Sequence, residues 1–128
     1  MKQKFTAMAA EYFVKRVYEP YHKNDGYRIL VDRLWPRGLS KEIAHIDCWL
    51  KEIAPTDELR KWFAHDPAKW NGFIKKYKEE IEQNPAREEL LNLANEHDRV
   101  TLLYSAKEET HNNAYVLLQW LQNDMKNF

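Results

Sequence analysis

Apolar positions along the chain begin as short runs, shift to a spacing of three and four, return to a run, and end on helical spacing. The run from Tyr12 to Tyr18 predicts a first strand, closed by Glu19-Pro20. Asn24-Asp25-Gly26 is a turn signal, and Tyr27 to Val31 predicts a second strand. Pro36 keeps Trp35 out of helical conformation. Ser40 suits an N-cap, with Ile43, Ile46, Leu50 and Ile53 behind it at helical spacing. Pro55 breaks that helix, and Asp57-Glu58 suit the first turn of another short one. Asp66-Pro67 is a cap followed by proline at the first helical position, ahead of an apolar stripe of Trp70, Phe73, Ile74, Tyr77 and Ile81. Asn84-Pro85 repeats the device before Leu90, Leu91 and Ala94. Val100 to Tyr104 is an apolar stretch of the kind found in strands covered on both faces. A last helix is expected from near His111 to about Met125, its inner face made by Ala114, Leu117, Leu118, Leu121 and Met125.

The order β-β-α-α-α-α-β-α predicts one domain over residues 1–128. The expected class is α/β: a small sandwich whose short sheet, at least partly parallel and of about three strands, is flanked by helices. Right-handed crossover places the ends of the second and third strands on one edge.

Composition narrows the function classes. Twenty basic and twenty acidic residues cancel, which argues against nonspecific coating of nucleic acid. Lys75, Lys76 and Lys78 are interleaved with Glu79, Glu80 and Glu82, as on a solvated helix face. A nucleic-acid partner is therefore not expected. No apolar run approaches membrane length, and the N-terminal residues lack a long apolar core, so neither a membrane nor secretion is expected. Cys48 is the single cysteine, which rules out an internal disulfide and fits a reducing cytoplasm. No two histidines stand at ligand spacing, and no GxGxxG or Walker loop is present; neither a metal nor a cofactor is expected.

Two strand ends carry more chemistry than a solvated loop needs. RILVDRLWPRG, residues 28–38, delivers Asp32, Arg33, Trp35 and Arg37. VTLLYSAKEETHNNA, residues 100–114, delivers Ser105, Lys107, Thr110, His111, Asn112 and Asn113. In an open α/β sheet ligands sit outside the carboxyl ends of parallel strands, so one pocket can collect both. Arg33 and Arg37 offer planar donor forks suited to phosphate or carboxylate, or they brace the loop against Asp32, Asp47 or Asp57. Asp32 is a candidate base, and pairing with a neighbouring arginine would lower its pKa and spoil that role. Trp35 stacks on a ligand or, as large aromatics more often do, packs in the core. Lys107 contacts an anion or faces water. The amides opening the last helix, with Ser105, His111, Asn112 and Asn113 nearby, form an anion-friendly end, or Thr110 and the asparagines simply cap it. His65-Asp66-Pro67 is a helix start first and a site element second. Cys48 is expected on an apolar helix as a small buried hydrophobe.

These linked motifs, together with VKRVYEP, the ID-WLKEIAP-DELRKWF-HDP-KW region and their order, resemble the DUF488 family, in its short YeaO-like branch. The resemblance covers nearly the whole chain. It implies a compact cytoplasmic α/β domain with a shared pocket and no established reaction. More distant members carry a Cys-His-Arg-like element where this chain has Thr110-His111-Asn112-Asn113, so thiol chemistry is not expected there.

The functional expectation is a small enzyme acting on a phosphorylated or nucleotide-like substrate. Asp32 or His111 would handle protons, with Arg33, Trp35, Arg37, Ser105, Lys107, Asn112 and Asn113 binding. The alternatives are a non-catalytic module for a small anionic ligand or a protein partner, and a nucleic-acid-associated domain.

Overall fold

The computed structural model of the chain describes residues 11–126. Residues 1–10 of the stretch read for a leader and the Met125 side chain lie outside the described residues. The elements are β1 (Glu11–Arg16), β2 (Tyr27–Leu30), α1 (Lys41–Ala44), β3 (Cys48–Trp49), α2 (Asp57–Phe63), α3 (Trp70–Gln83), α4 (Ala86–Glu96), β4 (Arg99–Tyr104) and α5 (Asn113–Lys126). Short 3-10 turns occupy Lys23–Asp25, Lys51–Ile53 and Pro67–Lys69.

The sheet has the order β1-β4-β2-β3, and every pairing is parallel. The expected parallel α/β architecture is present, with β3 as a fourth, two-residue strand. The central position of β4 accounts for its apolar run: Val100, Leu102 and Leu103 are fully buried. Alternation divides the strands between two faces. Ile29, Val31, Val100, Leu102 and Tyr104 join the larger core, against Phe63, Phe73, Tyr77, Ile81, Leu90, Leu117 and Leu121 from α2 to α5. Leu30 and Leu103 point the other way and pack with Val17 under Trp35, Leu39 and Ile46. The sheet is thus backed by four helices on one face and by the segment around α1 on the other.

The cap residues behave as their chemistry dictates. Ser40 Oγ accepts the Ile43 amide at 3.2 Å, Thr56 Oγ1 that of Leu59 at 3.1 Å, and Asp66 that of Ala68 at 3.0 Å. One expectation fails. The helix read from Ile43 to Ile53 ends at Ala44, because His45 turns left-handed with φ 50°. Ile43, 68% exposed, belongs to no apolar face. The Asp47 carboxylate accepts the Arg28 amide and the Asp47 amide donates to the Arg28 carbonyl, both at 2.9 Å, which draws Cys48–Trp49 alongside β2. Cys48 is accordingly a half-buried strand residue, not a helical one. No helix among the described residues is long and apolar enough to cross a membrane.

Candidate functional site

Parallel pairing brings the exits of β1, β2 and β4 to one edge. The Val31 amide donates to the Leu103 carbonyl at 3.1 Å and that of Val17 to Tyr104 at 2.7 Å, so the ladder runs on to the point where the loops diverge. There Asp32 Oδ2 accepts the Ser105 amide at 2.9 Å and the Ser105 hydroxyl at 2.8 Å. Arg16, leaving β1, donates from Nε to the carbonyls of Ser105 (3.1 Å) and Ala106 (2.9 Å), and its guanidinium lies over the Tyr18 ring. Three strand exits are thereby tied together around one carboxylate.

Above them is an open cavity of about 500 Å³. All nine candidates line it: Asp32, Arg33, Trp35, Arg37, Ser105, Lys107, His111, Asn112 and Asn113. Their roles differ. Arg33 braces, donating from Nη2 to the Ala54 carbonyl at 3.2 Å, with Glu52 at 3.9 Å. Trp35 packs edge-on to Trp49 and donates to the Leu39 carbonyl, so it serves as wall more than platform. Arg37 uses only its carbonyl within the loop, accepting the Tyr18 hydroxyl at 2.7 Å. Asn112, 4% exposed, is a helix cap: its Oδ1 accepts the Tyr115 amide and its Nδ2 donates to the Glu108 carbonyl. Asn113 ties α5 to β2 by donating to the Val31 carbonyl at 3.0 Å. The His111 ring stacks on Trp70, with centroids 4.7 Å apart.

Two expectations are corrected. Asp32 does not pair with Arg33 or Arg37. It turns inward onto Ser105, because that strand exit presents a free amide, while Arg33 turns to the carbonyls before α2. Burial raises the Asp32 pKa above the usual carboxylate value, and the bonds from Ser105 and Asn113 only partly offset this. The amides ahead of α5 are also not open to an anion. Glu108 Oε2 accepts the Thr110 amide (2.9 Å), the Thr110 hydroxyl (2.8 Å) and the His111 amide (3.2 Å).

The elevated Asp32 pKa has a testable sign. A carboxyl whose folded pKa lies above its unfolded value loses folding free energy as pH rises from the unfolded pKa toward the folded one. Asn can still accept both Ser105 bonds through one oxygen. Asp32→Asn is therefore expected to be more stable than wild type at neutral pH, and the advantage should vanish below about pH 4. Urea midpoints measured across that range would check it; an advantage independent of pH would overturn the assignment.

The structure adds Arg16, Arg60 and His65 to the walls. Arg16 was legible, since VKRVYEP ends a strand as the other two motifs do. Arg60 and His65 come from α2 and its exit, where Ala64 (φ 46°) and His65 (φ 56°) are consecutive left-handed residues. No pattern in the sequence announces that turn. Among the described residues, no cluster of three or more His, Cys, Asp or Glu is placed to hold a metal ion.

Residues 12–127 match the family model DUF488-N3i, described as the inactive DUF488-N3 subclade. The chain belongs to this family. Among its relatives is the uncharacterized protein YeaO of Escherichia coli (strain K12), 46% identical over 109 residues, which are 85% of this chain and 95% of that protein. The uncharacterized proteins Mb3100c of Mycobacterium bovis and Rv3073c of Mycobacterium tuberculosis are each 38% identical over 108 residues, covering 84% of this chain and 91% of theirs. No solved structure matches the chain significantly. The DUF488-N3i match spans all three strand exits, so the whole cavity falls inside the family domain.

Proposed function

We propose that this domain binds a small phosphorylated anion in the cavity and does not turn it over. Charge carries the reading. Arg16, Arg33, Arg37, Arg60 and Lys107 line the cavity against one carboxylate, Asp32. The chain as a whole is neutral, so this excess is local. The Arg33 and Arg60 forks are partly held by Glu52 and Asp57, which leaves the Arg37 fork and the Lys107 ammonium to meet phosphate oxygens. A cavity of about 500 Å³ suits a small ligand better than a duplex. The lone Cys48 favours a cytoplasmic setting.

One observation argues against turnover: the His111 ring stacks on Trp70 and is not hydrogen-bonded to Ser105 or Asp32. Among the described residues no nucleophile, base and orienter form a chain of hydrogen bonds. The family itself is described as an inactive subclade. One observation favours the enzyme alternative: Asp32, its pKa raised by desolvation, accepts the Ser105 hydroxyl as a base beside a nucleophile would.

The test is a thermal-shift and recovery experiment with inorganic phosphate, sugar phosphates and nucleotides. A ligand at 100 times its Kd should add about 2.7 kcal/mol to wild-type stability. Arg37→Ala, at an exposed position, should stay within about 0.5 kcal/mol of wild type without ligand and lose the shift. Mass spectrometry should return the ligand unchanged. A new product would favour the enzyme; no shift with any compound would sink both readings.

A further inference from the structure

A second cavity of about 380 Å³ adjoins the first and shares Phe63, His65, Ala106, Lys107 and His111 with it. Its character differs. The first holds five cations against one carboxylate, whereas the second balances Lys107 with Glu108 and is otherwise apolar or aromatic. Behind its wall runs a continuous aromatic cluster. Phe63 stacks on Phe73 at 4.5 Å, Trp70 lies 5.6 Å from Phe73, and the imidazoles of His65 and His111 close the two ends, against Phe63 and Trp70. The left-handed pair Ala64-His65 sets one of these imidazoles where both cavities meet.

We infer that the two cavities form one bipartite site for a nucleoside monophosphate, with its phosphate among the arginines and its base against the His65 and His111 rings. This rests on the anion reading above and names the rest of the ligand. Planar heteroaromatic rings stack on flat side chains with little regard to sequence. The direction of binding follows from charge. Hydrogen bonds from Thr110 and the His111 amide hold the Glu108 carboxyl down at about 2, so the second cavity carries a negative group at any physiological pH. It offsets Lys107, so this cavity offers phosphate no net attraction, and it can accept a hydrogen bond from an amino group on a base. The first cavity carries the net positive charge.

Titration calorimetry on wild type and His65→Gly would test this, using AMP, GMP, CMP, UMP, ribose 5-phosphate and inorganic phosphate as probes. Glycine is at ease at φ 56°, so the variant loses the ring while its backbone is relieved of strain. In wild type, the tightest nucleotide should bind about tenfold or more better than ribose 5-phosphate, the gain a stacked base brings. In His65→Gly that preference should shrink to about threefold or less, while ribose 5-phosphate affinity holds. Equal binding of ribose 5-phosphate and all four nucleotides, or a preference unmoved in His65→Gly, would overturn the bipartite site and leave the anion site standing. Binding of no probe would overturn both.

Discussion

Gly26→Ala is expected to cost the fold about 2–5 kcal/mol, the sum of a forbidden backbone conformation and a steric collision. Gly26 sits at φ 71°, ψ −140°, a region open essentially to glycine alone. A Cβ placed there would lie 2.2 Å from the Arg99 carbonyl oxygen and 2.7 Å from its carbon. That obstacle is backbone, and it cannot yield cheaply: Arg99 opens the central strand and is held in register with Glu11 of β1. The same turn anchors β2, since the Asp25 carbonyl accepts the Thr101 hydroxyl at 2.7 Å. Urea denaturation should show a lower midpoint with an unchanged slope. A loss under about 0.5 kcal/mol would mean the turn can be rebuilt around a side chain. Gly38, also at positive φ, meets nothing within 4 Å and should tolerate the same change with only the conformational cost.

The contrast between these two glycines shows what a sequence can announce. Asn24-Asp25-Gly26 reads as a turn from composition alone, but that β4 abuts it does not. Local devices were legible in the same way: the Ser40, Asp66 and Asn84 caps, the stripe on α3, and the apolar run of β4. The convergence of residues 32–37 and 105–113 was legible too, because parallel strands discharge at one edge. What escaped is what depends on long-range partners. The helix read from Ile43 to Ile53 gave way to β3, since Ile46 packs in the smaller core while Leu50 and Ile53 join the larger one, not one shared face. The exposed Glu108 carboxylate filling the amides ahead of α5 is a contact between near neighbours, yet nothing in Lys107-Glu108-Glu109 marks which acid would turn back. His65 reaches the cavity only through a left-handed exit from α2, and Arg60 reaches it from the helix just before.

Arg28 makes the same point with more energy at stake. It lies in a strand that reads as apolar, yet its side chain is 1% exposed and carries a full charge. Every side-chain nitrogen is occupied. Nε donates to the His45 carbonyl and Nη2 to that of Ala44, both at 2.9 Å, while Nη1 pairs with Asp25. Tyr21 covers the guanidinium and stacks in turn on His45, 4.1 Å away. Arg28→Met is expected to destabilise by about 3–5 kcal/mol, the usual cost of removing one partner of a buried pair. Arg28→Lys should rescue little, because a single ammonium cannot span three acceptors set for a planar fork. Acid adds a second signature. Burial on its own would raise the Asp25 pKa, but the bonds from Lys15, the His22 amide and Arg28 outweigh it and hold the carboxyl below its usual value. That stabilisation is complete above the unfolded pKa near about 4 and disappears as pH falls through the folded one. Arg28→Met should therefore lose less stability than wild type between neutral pH and acid, so the two curves converge. Parallel curves would show that Lys15 alone, at 2.9 Å, holds the carboxylate. The consequence reaches the cavity at the far end of β2. Arg28 pins Ala44 and His45, the downstream root of the loop that carries Arg33, Trp35 and Arg37. Ligand affinity in Arg28→Met should fall even at temperatures where the domain remains folded, and an unchanged Kd would show that Tyr18 and Trp49 hold that loop without it.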